Sequence, residues 1–403
     1  MNYVIQIQKH TFEKISSSLQ KCLMMKGASS TPDIMSKTIK FGTKQQEFYT
    51  TLSQRVNNYF KTKNLSRNAN AEMVIKTIFM LSLFFIPFTI SLTGIVTAYW
   101  GYVLLCVVMG LGVAGIGLSI MHDANHGAYS AKPWINDFMG YTLNLVGANA
   151  FNWKIQHNVL HHTYTNIYDV DEDISPRGAL RMSPDSPWKP LHRFQHIYAW
   201  FLYGLMTIIW IIAKDFFRLA RYQHDGLVKK HHGDFTKELT ILVVTKVLYV
   251  GYIFVVPLLL LPFAWWQILI GFLVMHYVAG FILAIVFQPA HVVEGTSYLM
   301  PDEYGNLENT WAIHQLYTTT NFAHRNRILS WYVGGLNFQV EHHLFPNVCH
   351  VHYRNISNIV KETAKEFGLP YKMKETFWDA LTAHGRLLKE LGREKPVPAM
   401  AAI

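Results

Sequence analysis

The sequence has few cysteines, and its longest apolar runs carry no charge. The three cysteines are scattered along 403 residues, so they predict neither a disulfide framework nor a cluster of thiolate ligands. No charged residue occurs within residues 77–121, and His276 is the only residue of 247–288 that ionises near neutral pH. The first apolar run begins too far along the chain for a secretory signal peptide. These absences argue against a secreted disulfide scaffold and favour a protein that enters a membrane through internal helices.

Two long apolar runs predict four membrane-spanning helices. A helix needs about 20 apolar residues to cross a bilayer, so residues 77–121 and residues 240–288 each accommodate a hairpin of two spans. Two further apolar runs, 138–151 and 197–213, are too short to cross and are interpreted as interfacial or re-entrant segments. Hydrophobic residues make up 50% of the chain, but the mean hydropathy is only +0.12, so much of the chain is expected outside the bilayer.

The distribution of basic residues predicts which side of the membrane each segment occupies. The formal net charge of +10 favours a protein that lies against anionic lipid or binds an acidic substrate head group. Nucleic-acid binding would also suit this charge, but the apolar runs argue against it. The short turns 96–101 and 262–266 contain neither Lys nor Arg, whereas segments 1–76, 122–239 and 289–403 are rich in both. By the positive-inside rule, these three segments and both termini are expected in the cytosol.

Three histidine clusters stand outside the apolar runs. Residues 122–126 read HDANH, residues 157–162 read HNVLHH, and residues 339–343 read QVEHH. Histidines four positions apart share one face of a helix, where their rings can converge on a metal ion. These candidate ligands are too many for one ion but suit two, and imidazole binds zinc, copper, iron or nickel. The candidates are His122, His126, His157, His161, His162, His342, His343 and Gln339.

The positions of the clusters connect them to the membrane and to alkyl chains. For the clusters to meet, an even number of crossings must separate them, and the hairpin 240–288 supplies two. A long alkyl chain can then reach the metals from the bilayer, and a redox metal with O2 can oxidise its C–H bonds, which no acid or base can activate. Nearby carboxylates, namely Asp123, Glu341 and the acidic run 169–173, can accept the second imidazole N–H and fix the tautomer.

The three clusters resemble the histidine boxes of the integral-membrane fatty acid desaturases. The flanking sequences HGAYS, HHTYTN and, at 334–346, GGLNFQVEHHLFP are similar too, and the resemblance runs from about residue 70 to the C-terminus. It implies an all-α membrane fold with four transmembrane helices in two hairpins, interfacial helices and a cytosolic helical cap that carries a di-iron site. The implied reaction uses O2 and two electrons to remove two hydrogens from a long acyl chain, which leaves a cis double bond. The implied site has no catalytic residues beyond the metal centre.

The resemblance also assigns individual residues. It gives the seven box histidines to the two irons and adds His291, in the sequence FQPAH, as a further ligand. Gln339 replaces the histidine of the commonest third box, as is typical of front-end desaturases, which act between an existing double bond and the carboxyl end. Gln339 can ligate directly, bind through water or leave its position to solvent. The haem motif HPGG of fused cytochrome domains is absent, which implies a separate electron donor, a ferredoxin or a b-type cytochrome.

Two other functions are alternatives. A hydroxylase or ketolase of the same superfamily would use the same di-iron site, and a histidine-rich metal transporter or receptor would place its ligands near mid-bilayer. Only His276 lies deep in a span, and it is expected to be neutral and hydrogen-bonded between helices. The sequence leaves open the position of the double bond, the chain length, the acyl carrier (CoA, phospholipid or carrier protein) and the membrane, a bacterial inner membrane or the endoplasmic reticulum.

Helical spacing predicts further helices at 47–59, 353–367 and about 374–391. The first of these is amphipathic and lies either on the membrane surface or on the cytosolic body. Four glycines in the second span indicate close helix packing or space for an acyl chain. His350 and His352 are expected to make structural hydrogen bonds or to help shape the site.

Overall fold

The computed structural model describes residues 39–174 and 178–394. Within them, the regular structure is helical except for two isolated bridges and one parallel pair of two-residue strands, Asn321–Phe322 and Met373–Lys374. The all-α prediction is therefore confirmed. The first half of the predicted N-terminal segment and the tail after residue 394 lie outside the described residues.

Among the described residues, four helices are long and apolar enough to cross a membrane, as predicted. We number them first to fourth: Ala71–Leu92, Tyr99–Asn125, Phe235–Leu260 and Trp265–His291. The first and third helices begin before the apolar runs because polar side chains cap them. Asn70 accepts a hydrogen bond from the Met73 amide, and Asp234 accepts one from the Lys237 amide.

Shorter helices form most of the remaining regular structure. The α-helices are Gln46–Thr62, Pro133–Gly140, Thr142–Leu145, Ala150–Trp153, His162–Tyr164, Gln195–Gly204, Met206–Ile209, Asp215–His224, Leu227–Lys230, Trp311–Thr318, Arg327–Tyr332, Gln339–Leu344, Tyr353–Glu366 and Phe377–Leu391. Among the described residues, four π-helical segments lie within or between helices: Ile116–Ile120, Lys154–His161, Trp210–Lys214 and Gly251–Val255. The same residues include the 3₁₀ segments Pro190–Phe194 and His350–His352.

The second long helix is the packing centre of the long helices, because the first and the fourth both lie against it. Gly110 approaches the fourth helix so closely that a Cβ there would lie 2.6 Å from the Met275 carbonyl oxygen. A Cβ at Gly112 would lie 2.7 Å from the Phe84 amide nitrogen of the first helix. These glycines therefore serve helix packing rather than space for an acyl chain, and they fix the helix that carries the first histidine cluster.

The second of the short apolar runs forms a bent helix pair. Its segments Pro190–Gly204 and Met206–His224 meet at an angle of 60°. The pair contacts the fourth helix, where the Thr207 hydroxyl donates to the His276 carbonyl oxygen at 2.7 Å. The His276 ring lies 2.5 Å from the Tyr249 hydroxyl of the third helix. The expectation that this deep histidine is hydrogen-bonded between helices is therefore confirmed.

The predicted helices before the first span and after the third cluster pack on each other. The helix Gln46–Thr62 lies against Tyr353–Glu366 and buries Phe48 and Leu52 in the core that they share. The amphipathic helix therefore packs on the body of the protein, one of the two expected arrangements. The last helix begins at Phe377, later than expected, because the two residues at 373–374 pair as a strand instead.

Candidate metal centre

The first histidine cluster lies where the second long helix ends. The π-helical segment Ile116–Ile120 precedes its last turn, and the rings of His122 and His126 follow with centroids 4.8 Å apart. Trp153 packs edge-on against both rings at 5.5 Å. The two imidazoles are thus held side by side between a membrane helix and an indole ring.

The second cluster lies on a π-helix, whereas its spacing predicted an α-helix with His157 and His161 on one face. Residues five apart share a face in the π-helical segment Lys154–His161. The Nε2 atom of His157 therefore lies 3.3 Å from that of His162. The His161 ring stacks at 5.1 Å from the His157 ring, and His161 also meets His291 and His343 in a second group of candidate ligands. The cluster is thus divided between two sites.

The third cluster lies on the helix Gln339–Leu344, which follows a tight glycine turn. Gly334 and Gly335 have φ angles of 62° and 65°, a region that glycine adopts without strain. A Cβ at Gly334 would collide with the Leu118 carbonyl group, which belongs to the π-helical segment before the first cluster. The turn therefore docks the third cluster directly against the first.

The first group of converging ring nitrogens contains His122, His126, His157 and His342. His162 joins it through its contacts with His157 and His342, although its ring also stacks on His343 at 4.3 Å. The Nε2 atom of His157 lies 3.2 Å from that of His122, and the Nε2 atom of His162 lies 2.9 Å from that of His342. The Nε2 atoms of His157 and His162 each face two other ring nitrogens. A ring nitrogen has one hydrogen or one lone pair, so neither atom can make two ordinary hydrogen bonds. Nitrogens about 2.1 Å from one ion lie about 3.0 to 3.4 Å apart at octahedral or tetrahedral angles. The group thus has the spacing of a metal-ligand set.

The second group contains His161, His291 and His343, whose candidate ligand atoms all lie within 4.8 Å of one another. His291 is the last residue of the fourth long helix, and the Gln339 side chain approaches its ring. The Nε2 atoms of His161 and His343 and both amide atoms of Gln339 are buried and have no hydrogen-bond partner within the described part of the chain. The structure therefore brings together all nine residues that the sequence and the family resemblance predicted as ligands.

Burial keeps most of these imidazoles neutral. Desolvation, and then repulsion between neighbouring imidazoles, lowers the pKa of four box histidines outside the long helices well below its usual range. These are His157, His162, His342 and His343. Their lone pairs are therefore free at neutral pH, in the form that binds metal. For His161, burial lowers the pKa, but the Asp171 carboxylate outweighs burial and raises it.

One residue of the acidic run supports the second cluster directly. The Asp171 carboxylate is fully buried and lies 3.0 Å from Nδ1 of His161. It also accepts hydrogen bonds from the amides of Asn166 and Asp173 at 2.9 and 3.0 Å. The sequence singled out the acidic run, but not which member of it would reach a box imidazole.

Two further supporting residues were missed by sequence reasoning. The Gln315 side-chain oxygen lies 2.9 Å from Nδ1 of His343, and the Tyr353 hydroxyl lies 3.1 Å from Nδ1 of His342. Neither residue belongs to a histidine motif or to an acidic run. Their contacts depend on the packing of separate helices, so no local pattern in the sequence identifies them.

Asp123 lies beside the first cluster, as predicted. Its Oδ2 atom lies 2.8 Å from Nδ1 of His350, and its carboxylate lies close enough to the His122 ring to act on it electrostatically. His350 is therefore joined to the first cluster through one carboxylate. His352 instead contacts the Asn68 carbonyl oxygen at 3.2 Å, which is a structural contact.

Glu341, the other predicted supporting carboxylate, has different partners. It accepts hydrogen bonds from the Asn321 amide at 2.9 Å and from the Tyr371 hydroxyl at 2.8 Å. Burial raises the pKa of Glu341 to about 7, although these donors act in the opposite direction. Between residues 39 and 394, apart from 175–177, no hydrogen bond joins Glu341 to a box imidazole.

The donor set determines which metals the two groups suit. Imidazole nitrogens favour transition metals such as iron, copper and zinc, whereas magnesium and calcium prefer oxygen ligands. The converging nitrogens, and the buried nitrogens that lack partners among the described side chains, fit two such ions. With both sites at the ends of long apolar helices, the arrangement can perform redox chemistry on an apolar chain.

Comparison with known proteins adds an independent finding. The family model described as fatty acid desaturase matches residues 97–375. The chain is 38% identical to an sn-1 linoleoyl-lipid 6-desaturase of Synechocystis over 362 residues, which cover 89% of this chain and 99% of that protein. It is 36% identical to an acyl-lipid (8-3)-desaturase of Physcomitrium patens over 356 residues, which cover 86% of this chain and 72% of that protein. A Delta(5) fatty acid desaturase A of Dictyostelium discoideum is 29% identical over 359 residues, 87% of this chain and 76% of that protein.

Proposed function

The chain belongs to the fatty acid desaturase family, and on that basis we propose that it acts on an acyl chain carried by a membrane lipid. We propose that the new cis double bond forms between an existing double bond and the carboxyl end. The names of the relatives, sn-1 linoleoyl-lipid 6-desaturase and acyl-lipid (8-3)-desaturase, support a lipid-linked substrate and this position. Gln339 in the third histidine box supports the same branch of the family.

The observation that carries the proposal is the convergence of three distant clusters into two groups of ligand nitrogens. The family implies iron-dependent catalysis, and we infer that each group holds one iron ion. The first iron would be held by His122, His126, His157, His162 and His342, and the second by His161, His291 and His343, with Gln339 beside them. When bound, the two irons supply, with O2 and two electrons, the oxidation that takes two hydrogens from neighbouring carbons.

The residues around the ligands hold the imidazoles in the form that binds metal. Asp171 keeps the hydrogen of His161 on Nδ1, which leaves a lone pair on Nε2. The Gln315 side-chain oxygen accepts the Nδ1–H of His343 in the same way. We assign the equivalent role to Asp123 for His122. Glu341 instead supports the helix that carries the third box, because its bonds are to Asn321 and Tyr371 rather than to an imidazole.

Gln339 occupies a position beside the second group. Its side chain is 1% exposed, approaches His291 and finds no hydrogen-bond partner among the described side chains or backbone groups. A buried amide without a partner costs about 1 to 3 kcal/mol. A metal ion or a metal-bound water would offset this cost, so we propose that Gln339 completes the second group directly or through water.

We further propose that both termini and the histidine boxes face the cytosol. The second and third boxes converge, so an even number of crossings separates them, and the third and fourth long helices supply two. The bent pair of helices is therefore assigned as re-entrant, because a fifth crossing would separate the boxes. The basic segments then lie in the cytosol, where a separate ferredoxin or b-type cytochrome is proposed to deliver electrons.

Product mapping tests the proposed function. We expect that expression in a host with defined polyunsaturated lipids produces acyl chains with one new cis double bond on the carboxyl side of an existing one. Mass spectrometry of intact lipids and of the acyl-CoA pool, sampled soon after induction, locates the bond and the carrier. New bonds that appear first in acyl-CoA would contradict the lipid-linked substrate. Hydroxy or keto products without an alkene would favour the hydroxylase or ketolase alternative.

A further inference from the structure

A buried lysine of the first long helix begins a hydrogen-bonded chain that leads to the first histidine box. Lys76 is 1% exposed, and its Nζ atom lies 2.6 Å from Nε2 of His350. Nδ1 of His350 lies 2.8 Å from Oδ2 of Asp123, and the Asp123 carboxylate lies beside the ring of the adjacent His122. The chain thus connects the first long helix and the segment after the third box to one candidate ligand.

The hydrogen bonds of this chain run in one direction because an ammonium group only donates. Lys76 donates to Nε2 of His350, so that nitrogen carries a lone pair and the hydrogen of His350 is on Nδ1. His350 then donates to Asp123, whose carboxylate lies beside the His122 ring. Because Nε2 of His122 faces His157, we infer that Nδ1 is the nitrogen that donates to Asp123. The remaining nitrogen of His122, Nε2, faces the first group and carries the lone pair that a metal requires.

Both ends of the chain are held in place. Asp123 also accepts a hydrogen bond from the His350 backbone amide at 3.1 Å, and the Cys349 thiol lies nearby. The Lys76 ammonium lies 5.3 Å from the centroid of the Trp331 ring, a favourable cation–π distance.

Asp123, Cys349 and His350 are close enough together to suggest a third metal site. A metal ion there would be repelled by the Lys76 ammonium beside His350. The three residues are therefore better explained as parts of the hydrogen-bonded chain.

We propose that Lys76 is a positioning residue, which orients His122 through His350 and Asp123 and so tightens metal binding in the first group. This inference rests on the proposed two-iron site. Loss of a residue that hydrogen-bonds to a metal ligand, without binding the metal itself, typically lowers metal affinity about 10- to 100-fold. Loss of Lys76 is expected to act on the first group and to spare the iron held by His161, His291 and His343.

The test uses the full chain, purified in detergent from iron-supplemented cells. In Lys76→Met, a chelator should remove the first-group iron at a concentration about 10- to 100-fold lower than in the unsubstituted protein. The Mössbauer signal of the second group should stay unchanged. Lys76→Arg keeps a donor and should restore retention of the first-group iron, an outcome that general destabilisation of the helix does not predict.

Lys246→Met is the matched control. Lys246 is a buried lysine of the third long helix, and it pairs with Asp215 at 2.7 Å and donates to the Gly147 and Trp210 carbonyl oxygens. This substitution removes a buried cation but leaves the hydrogen-bonded chain from Lys76 to His122 intact. Both irons should therefore be retained as in the unsubstituted protein.

A second variant keeps the proposal testable if Lys76→Met does not accumulate. His350→Phe removes both ring nitrogens from the centre of the hydrogen-bonded chain and should release the first-group iron in the same selective way. If either purified variant resists the chelator as well as the unsubstituted protein does, the positioning role of Lys76 is overturned. Fewer than two irons in the unsubstituted protein would instead overturn the two-iron site, so the two failures are distinguishable.

Discussion

Replacing His161 with alanine should abolish the formation of new double bonds while the protein still inserts into the membrane. The second group would retain only His291, His343 and the Gln339 amide for one ion. We expect desaturation to fall by more than about 100-fold, since even a residue that only supports a ligand contributes up to about 100-fold. Product analysis, normalised to the amount of inserted protein in the same membranes, measures the effect.

A surface histidine provides the control for this experiment. The His224 side chain is 67% exposed and lies at the end of the bent helix pair, so His224→Ala should leave product formation unchanged. Alkene formation by His161→Ala at the unsubstituted rate would rule out the proposed ligand role of His161.

Removing ligands from one group at a time should give two variants, each of which retains the iron of the other group. The double substitution of His122 and His126 by alanine removes two of the five imidazoles of the first group, and that of His291 and His343 removes two of the three in the second. Both variants should lose desaturation because the proposed reaction requires both ions. Each should retain about one iron per chain, and their Mössbauer spectra should differ because the remaining ligands differ.

The adjacent pair His231 and His232, which belongs to neither group, offers a matched double substitution. Its replacement by alanine should retain both irons and the spectrum of the unsubstituted protein. Identical spectra from the two box variants would mean that the histidines form one shared site, which contradicts the division into two groups.

The sequence predicted the four long helices and pointed to the histidines that lie together in the structure, because both have local signals. Long uncharged runs locate four spans, and clustered histidines identify candidate ligands without knowledge of the fold. The predicted ends of the spans were less accurate than their number. Lys76 was placed outside the first span because it is charged, but the structure includes it in the first long helix, where His350 and Trp331 surround its ammonium group.

The division of the ligands between two groups could not be predicted from spacing. His161 and His162 are adjacent, yet they face different groups because the preceding segment is π-helical and pairs His157 with His162. The spacing HxxxHH is compatible with either kind of helix. Gln315 is far from the boxes in sequence, and only tertiary packing brings it to His343. His291 was identified through the family resemblance alone.

Metal analysis of the unsubstituted protein tests the central claim most directly. The protein is purified in detergent from cells supplied with both iron and zinc, and its metals are counted by inductively coupled plasma mass spectrometry. The proposed di-iron centre predicts about two irons and little zinc per chain. One metal ion per chain, or zinc in place of iron, would contradict the assignment of the two groups to a di-iron centre.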